Sequence, residues 1–67
     1  MPPIRVNALV RLKEDVPEPR LSRGDEGVVQ SVWLSSNGFF CEVEFRNNGS
    51  PGAVRTLLLA EQLEVVP

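Results

Sequence analysis

Two pairs of carboxylates are the residues of this chain whose types and spacing could do chemistry. Asp25 and Glu26 are adjacent, and Glu42 and Glu44 are two positions apart. Two carboxylates can act as general acid and base on a glycosidic bond when both face one enclosed substrate. Neighbouring residues of a strand point to opposite faces, so Asp25 and Glu26 do not converge. We expect Asp25 to cap a turn and Glu26 to face solvent. Glu42 and Glu44 are expected on the solvated face of a strand.

Other catalytic and metal-binding side chains are scarce. The 67 residues include no His and a single Cys, Cys41. An internal disulfide is therefore excluded, and a zinc site or a His-based catalytic pair is effectively excluded as well. Cys41 is predicted to be a small buried apolar residue. The sequence thus predicts a protein that is not an enzyme and that binds no cofactor or metal.

Length and composition predict one small globular domain over residues 1–67, with residues 1–5 as a flexible leader. The hydrophobic content is 42% and the charged content 24%, which is ordinary for a folded domain. A net charge of −2 argues against electrostatically driven binding to nucleic acid. No apolar run is long enough to span a bilayer, and no signal-peptide pattern is present. We expect a soluble, cytoplasmic protein.

Alternating apolar and polar residues predict short strands separated by turn residues. The predicted strands are residues 6–12, 27–34, 39–45, 53–59 and 63–66, with a long loop at 13–24, a tight turn at 35–38, a loop at 46–52 and a single 3₁₀ turn at 60–62. Asn37-Gly38 between apolar runs is a strong hairpin signal. In the strand after it, alternation predicts an inward face formed by Phe39, Cys41, Val43 and Phe45. Closure into a barrel is how so small a sheet avoids exposed edges. The predicted fold is all-β, a small five-stranded SH3-like barrel.

The phase of the second predicted strand is open. Val29 and Val32 are an odd number of positions apart, so they cannot share a face of a regular strand. Either Val28, Val32 and Leu34 face one side, or a β-bulge near Gln30 changes the phase. A bulge is favoured, because bulges bend the strands of small barrels.

Three short motifs of this chain are Gly24-Asp25-Glu26-Gly27, Val43-Glu44-Phe45 and Thr56-Leu57. In these motifs, and over roughly residues 7–66, the chain resembles a bacterial family of small uncharacterised SH3-like domains. The same plan is similar, more distantly, to photosystem I subunit IV and to KOW-type barrels. These motifs are turn glycines and core positions, so the resemblance implies a fold and no catalytic residue.

Five residues are candidates for binding a partner. Trp33 ends the second predicted strand and Phe40 begins the third, so the hairpin places them close together. If both face outward they form an aromatic patch, and if either faces inward it belongs to the core. Arg20 and Arg23, on either side of Leu21 in the long loop, either grip an acidic partner or neutralise nearby carboxylates.

These features predict a non-enzymatic protein-interaction module or accessory subunit. Its partner surface would combine the long loop with the hairpin around Trp33 and Phe40, and its partner would be another protein or a second copy of the chain. One alternative is a KOW-like nucleic-acid-binding barrel, which would show steep salt dependence. Another is an oligomeric enzyme of the type II dihydrofolate reductase kind, although the Val-Gln-x-Tyr stretch of that family is not found here.

Overall fold

A computed structural model describes residues 4–18, 20–36, 38–46 and 52–67. Its elements are the strands β1 (Leu9–Leu12), β2 (Glu26–Ser35), β3 (Gly38–Phe45), β4 (Val54–Leu59) and β5 (Leu63–Val65), with a 3₁₀ turn at Ala60–Gln62. The strands form one antiparallel sheet in the order β4-β3-β2-β1-β5. The predicted all-β fold is confirmed, and this strand order is that of an SH3-like barrel.

The core lies inside the curved sheet. Every strand contributes at least one buried side chain to the same cluster, and the most buried members are Val10, Leu12, Val29, Cys41, Val43 and Phe45. A single sheet can enclose an inner face in this way only by curling around it. The predicted inward face of the third strand is therefore confirmed for Cys41, Val43 and Phe45.

The first strand is shorter than the sequence predicts. Strand β1 begins at Leu9, whereas alternation predicted a start at residue 6. The reason is Asn7, whose φ of 74° is in the left-handed region that Asn tolerates better than most residues. The turn at Asn7 stops the strand, although the Asn7 N–H still donates to the Val29 carbonyl over 2.7 Å.

Strand β2 contains the predicted bulge. Its register with β3 shifts between Val29 and Ser31, so that Val29 is opposite Val43 and Val32 is opposite Cys41. Val29 is buried and Val32 packs against the core, while Val28 is exposed. The bulge therefore puts two valines at odd spacing on the same face, and the alternative of a regular strand is wrong.

The β2–β3 hairpin extends beyond the core. Phe39 is on the same face of β3 as Cys41, as predicted, but 53% of its surface is exposed, against 0% for Cys41. Its cross-strand partner Leu34 is 76% exposed. The prediction that Phe39 belongs to the inward, buried set is wrong. The pairing of β4 with β3 ends at Phe40, and β1 pairs with β2 only as far as Val28, so neither β4 nor β1 extends to Phe39.

The long loop before β2 is anchored by two apolar residues. Val16 and Leu21 form an antiparallel bridge and are 9% and 2% exposed, so both fold back over the core. Residues 1–3 of the predicted leader at 1–5 and residues 47–51 of the predicted loop at 46–52 lie outside the described residues, as do Pro19 and Asn37.

Candidate interaction surface

Trp33 and Phe40 are direct cross-strand partners at the far end of the β2–β3 hairpin. Both point to the outer face of the sheet, away from the core. Trp33 is 50% exposed and Phe40 is half-buried. Phe40 is paired in turn with Leu59 of β4. Side chains opposite one another in an antiparallel pair are close enough to pack, so these three form an apolar row across three strands.

The other face of the same hairpin is also apolar. Leu34 and Phe39 are paired one step closer to the turn and are largely exposed. We call the four residues Trp33, Leu34, Phe39 and Phe40 the hairpin end. Sequence reasoning identified Trp33 and Phe40 but missed Leu34 and Phe39, because alternation assigns a face without showing where the core stops. The sequence signal that could have identified them is that both lie next to the turn, where the hairpin extends furthest from the core.

A cluster of charges occupies the opposite end of the outer face. Glu44 accepts hydrogen bonds from Arg46 and from Arg55 and forms ion pairs of 2.7 and 3.0 Å with them. The hydrogen bonds from Arg46 and Arg55 hold the pKa of the Glu44 carboxyl below its ordinary value. Glu44 is thus held as an ionised structural group by its own chain.

The other candidate acid pair has structural roles. The Asp25 carboxylate accepts the Ser22 N–H over 2.9 Å, which closes the turn before β2 from its C-terminal side. Glu26 is exposed and forms a 3.0 Å ion pair with Arg11, which also lies 3.5 Å from Glu64 across the β2–β1–β5 row. The expectation that Asp25 caps a turn and that Glu26 faces outward is confirmed.

Arg20 and Arg23 are exposed on the long loop. Within the described residues, neither guanidinium has a carboxylate within 4.0 Å. The nearby Asp15 carboxylate instead accepts the backbone N–H of Arg23 over 2.8 Å. Leu21 is 2% exposed, so its side chain is buried and anchors the loop that carries the two arginines.

The long loop and the end of β4 are linked through the 3₁₀ turn. The Gln62 side chain accepts the Leu59 N–H over 2.9 Å and donates to Glu14 over 3.4 Å. The Gln62 carbonyl accepts the Lys13 N–H over 2.9 Å. Gln62 therefore joins the base of the loop to the strand end beside Phe40, although no hydrogen bond or ion pair in the described ranges joins Arg20 or Arg23 to Trp33 or Phe40.

The remaining surface offers little for chemistry. A shallow open depression lies where β1, β2 and β3 meet, lined by Leu9, Val28 and Arg46 among others. Cys41 is enclosed in the core, and burial raises the pKa of its thiol. No cluster of three His, Cys, Asp or Glu side chains suited to a metal ion occurs in the part of the chain that the structure describes. Over the same ranges, no helix has the length and apolar character to cross a membrane.

Comparison with protein-family models, with curated proteins and with solved structures found no match to this chain. The interpretation of the surface therefore depends on its own geometry.

Proposed function

We propose that this domain is a non-enzymatic interaction module, or accessory subunit, that binds another protein through the hairpin end. The single observation that supports this most strongly is the concentration of exposed apolar side chains there. Trp33, Leu34 and Phe39 are each at least half exposed, whereas ten hydrophobic side chains are buried among the residues that the structure describes. Exposed apolar side chains that are concentrated at one place on a soluble protein mark an interaction surface.

Both faces of the hairpin end favour an interaction role over an architectural one. A hairpin that served only the core would be apolar on its inner face and polar on its outer face. Here the outer pair is Trp33 and Phe40 and the inner pair is Leu34 and Phe39. Large aromatic side chains that become desolvated in a pocket of the partner are typical energetic anchors of protein interfaces.

The long loop is the proposed charged border of this surface. Arg20 and Arg23 are free of intramolecular ion pairs in the described ranges, so they are available to carboxylates of a partner. Exposed charges at the border of an interface mainly accelerate association and select the partner. The carboxylates Asp25, Glu26 and Glu44 are held by their own chain, which favours structural roles for them over catalytic ones.

The same proposal includes a cytoplasmic location and a relationship with the bacterial SH3-like domains. An unpaired thiol at Cys41 fits a reducing cytoplasm. The strand order, and the 3₁₀ turn before the last strand, support a relationship with the bacterial SH3-like domains that the sequence resembles.

The first experiment is light scattering behind size-exclusion chromatography, with Trp33 fluorescence recorded on the same sample. We expect a monomer whose indole emission is that of a water-exposed side chain. A stable dimer or tetramer with a shielded indole would overturn the proposal, because the hairpin end would then serve self-association.

The second experiment is capture from a lysate of the source cells on immobilised protein. The double variant Trp33→Ser/Phe39→Ser is compared with wild type and with the matched control Val28→Ser, which removes an exposed apolar side chain elsewhere on β2. We expect wild type and the control to retain the same protein in near-stoichiometric amount, and the double variant to lose it. Equal retention by all three would contradict the proposal. Retention abolished by nuclease, with steep salt dependence, would favour nucleic-acid binding instead.

A further inference from the structure

Strand β4 is an open edge of the sheet. Among the described residues it pairs only with β3, through a continuous register from Phe45 opposite Val54 to Phe40 opposite Leu59. The unpaired side of such a strand presents N–H and C=O groups to solvent and can template the addition of another strand. Soluble proteins usually block this with Pro, Lys or a bulge. Strand β4 has none of the three, and its one charge, Arg55, is held by Glu44.

The side chains next to this edge have a defined chemistry. Leu57 is 54% exposed on the outer face, and its partner on β3 is Glu42. The half-buried Glu42 carboxylate accepts a 3.3 Å hydrogen bond from the Ser31 hydroxyl. In the described ranges no cation lies within 4.0 Å of it, whereas Glu44, two residues along, has two. Glu42 is thus a carboxylate flanked by Ser31 on β2 and by the apolar Leu57 on β4, with no counter-charge within 4.0 Å among the described residues.

A strand added beside β4 would put its own outward side chains within reach of these groups. Neighbouring strands are about 4.8 Å apart, so a residue opposite Leu57 lies roughly 10 Å from Glu42. A Lys or Arg stem can lie along exposed apolar surface while its charged head reaches further. A basic residue at that position would cover Leu57 and neutralise Glu42. Two residues along, an apolar side chain would meet Leu59 and, behind it, Phe40.

We propose that the free edge of β4 binds an extended segment of a partner protein as an added strand, with a basic residue opposite Leu57 and an apolar residue opposite Leu59. This inference rests on the proposed interaction function and names the partner's chemistry. A second copy fits less well. If β4 of one molecule pairs with β4 of a second copy, the outward residue opposite Leu57 is Leu57, Leu59 or Arg55 of that copy. Since Arg55 is already held by Glu44, Glu42 would remain without a cation.

The probe is the synthetic peptide acetyl-Thr-Val-Thr-Lys-Thr-Val-Thr-amide. Its Val residues stand two positions before and two positions after the central Lys, so that one of them lies opposite Leu59 whichever direction the added strand takes. Binding is followed by ¹⁵N–¹H NMR titration of the wild-type chain. We expect saturable shifts at the amides of Val54–Leu59 and of β3. Replacing the peptide Lys with Glu should weaken binding roughly two- to fivefold, as for an exposed ion pair, and added salt should narrow that difference. N-methylation of alternate backbone amides of the peptide should abolish binding of the peptide, because it removes backbone N–H donors to β4.

The matched protein variants are Glu42→Gln and Glu61→Gln. Each removes one negative charge, and Glu61 is exposed on the 3₁₀ turn after β4. Only Glu42→Gln should erase the preference for Lys over Glu. The inference is overturned if the peptide does not bind, if it binds with equal affinity whether Lys or Glu is central, or if the β4 amides shift with protein concentration in the absence of peptide.

Failure of this inference can be told apart from failure of the proposed function. If the peptide fails at β4 but capture of a protein still depends on Trp33 and Phe39, only the edge-binding inference falls. If capture is also indifferent to Trp33 and Phe39, the proposed function falls with it.

Discussion

Gly27 lies where the structure leaves no space for a side chain. It is buried opposite Phe45, and an added Cβ would lie 2.7 Å from Val43 Cγ1, 2.8 Å from the Glu44 carbonyl oxygen and 2.9 Å from Phe45 Cδ2. One of these atoms belongs to the backbone, so a rotamer change cannot relieve the contact. The small residue is therefore what allows β2 and β3 to enclose the Phe45 ring.

We expect Gly27→Ala to lower the free energy of unfolding by roughly 2–3 kcal/mol, the upper part of the usual cost of inserting a methyl group into a filled core, because one of the three close contacts is with the backbone. The matched control is Gly24→Ala, where no heavy atom lies within 4 Å of the added Cβ and the cost comes only from its φ of 93°. That control should lose about 1 kcal/mol. Urea unfolding measures both, and a loss at Gly27 no larger than at Gly24 would contradict the packing described for Gly27.

At the scale of the elements, the β2 bulge decides which side chains face the core. We expect Val29→Ala and Val32→Ala each to lower the free energy of unfolding by about 1–2 kcal/mol, because the first removes methyl groups inside the core and the second removes methyl groups packed against it. Val28→Ala, on the exposed side, should change it by less than about 0.5 kcal/mol. Two sensitive positions three apart in one strand require a change of phase between them. Sensitivity at Val28 and Val32 with tolerance at Val29 would instead support a regular strand.

The same element shows what the sequence could and could not predict. Strand existence, order along the chain and the bulge followed from alternation, from turn residues and from the odd spacing of Val29 and Val32. The start of β1 did not, because one residue, Asn7, takes a left-handed φ that alternation does not encode. The candidate surface was found through its aromatic residues Trp33 and Phe40. The exposure of Leu34 and Phe39 depends on how far the opposing strands reach, which is a tertiary property.

At the scale of the whole molecule, the charge clusters predict a pH dependence. Since the folded-state pKa of Glu44 is lowered by Arg46 and Arg55, the unfolded state takes up the proton at higher pH. The stabilisation is therefore present above the unfolded pKa of about 4.3 and is lost as the pH falls through the lower folded-state pKa. We expect Glu44→Gln to lower the thermal midpoint at about pH 7 and to match wild type near pH 2.

Thermal unfolding followed by circular dichroism at the two pH values measures this difference. The control Glu61→Gln removes an exposed carboxylate that has no ion pair in the described ranges, and it should leave the midpoint close to that of wild type at both pH values. A Glu44→Gln difference that is equal at the two pH values would mean that the ion pairs do not account for it.

The pairing of β1 with β5 also has a consequence for the order in which the molecule assembles. Leu12 is opposite Leu63, so this part of the sheet joins residues about fifty positions apart, whereas β2 and β3 are joined by a tight turn. Pairing distant strands costs conformational entropy for closing the loop before any contact between the strands compensates for it. Local hairpins therefore form much earlier. During each folding event, the hairpin end is therefore expected to be present while the sheet behind it is still incomplete.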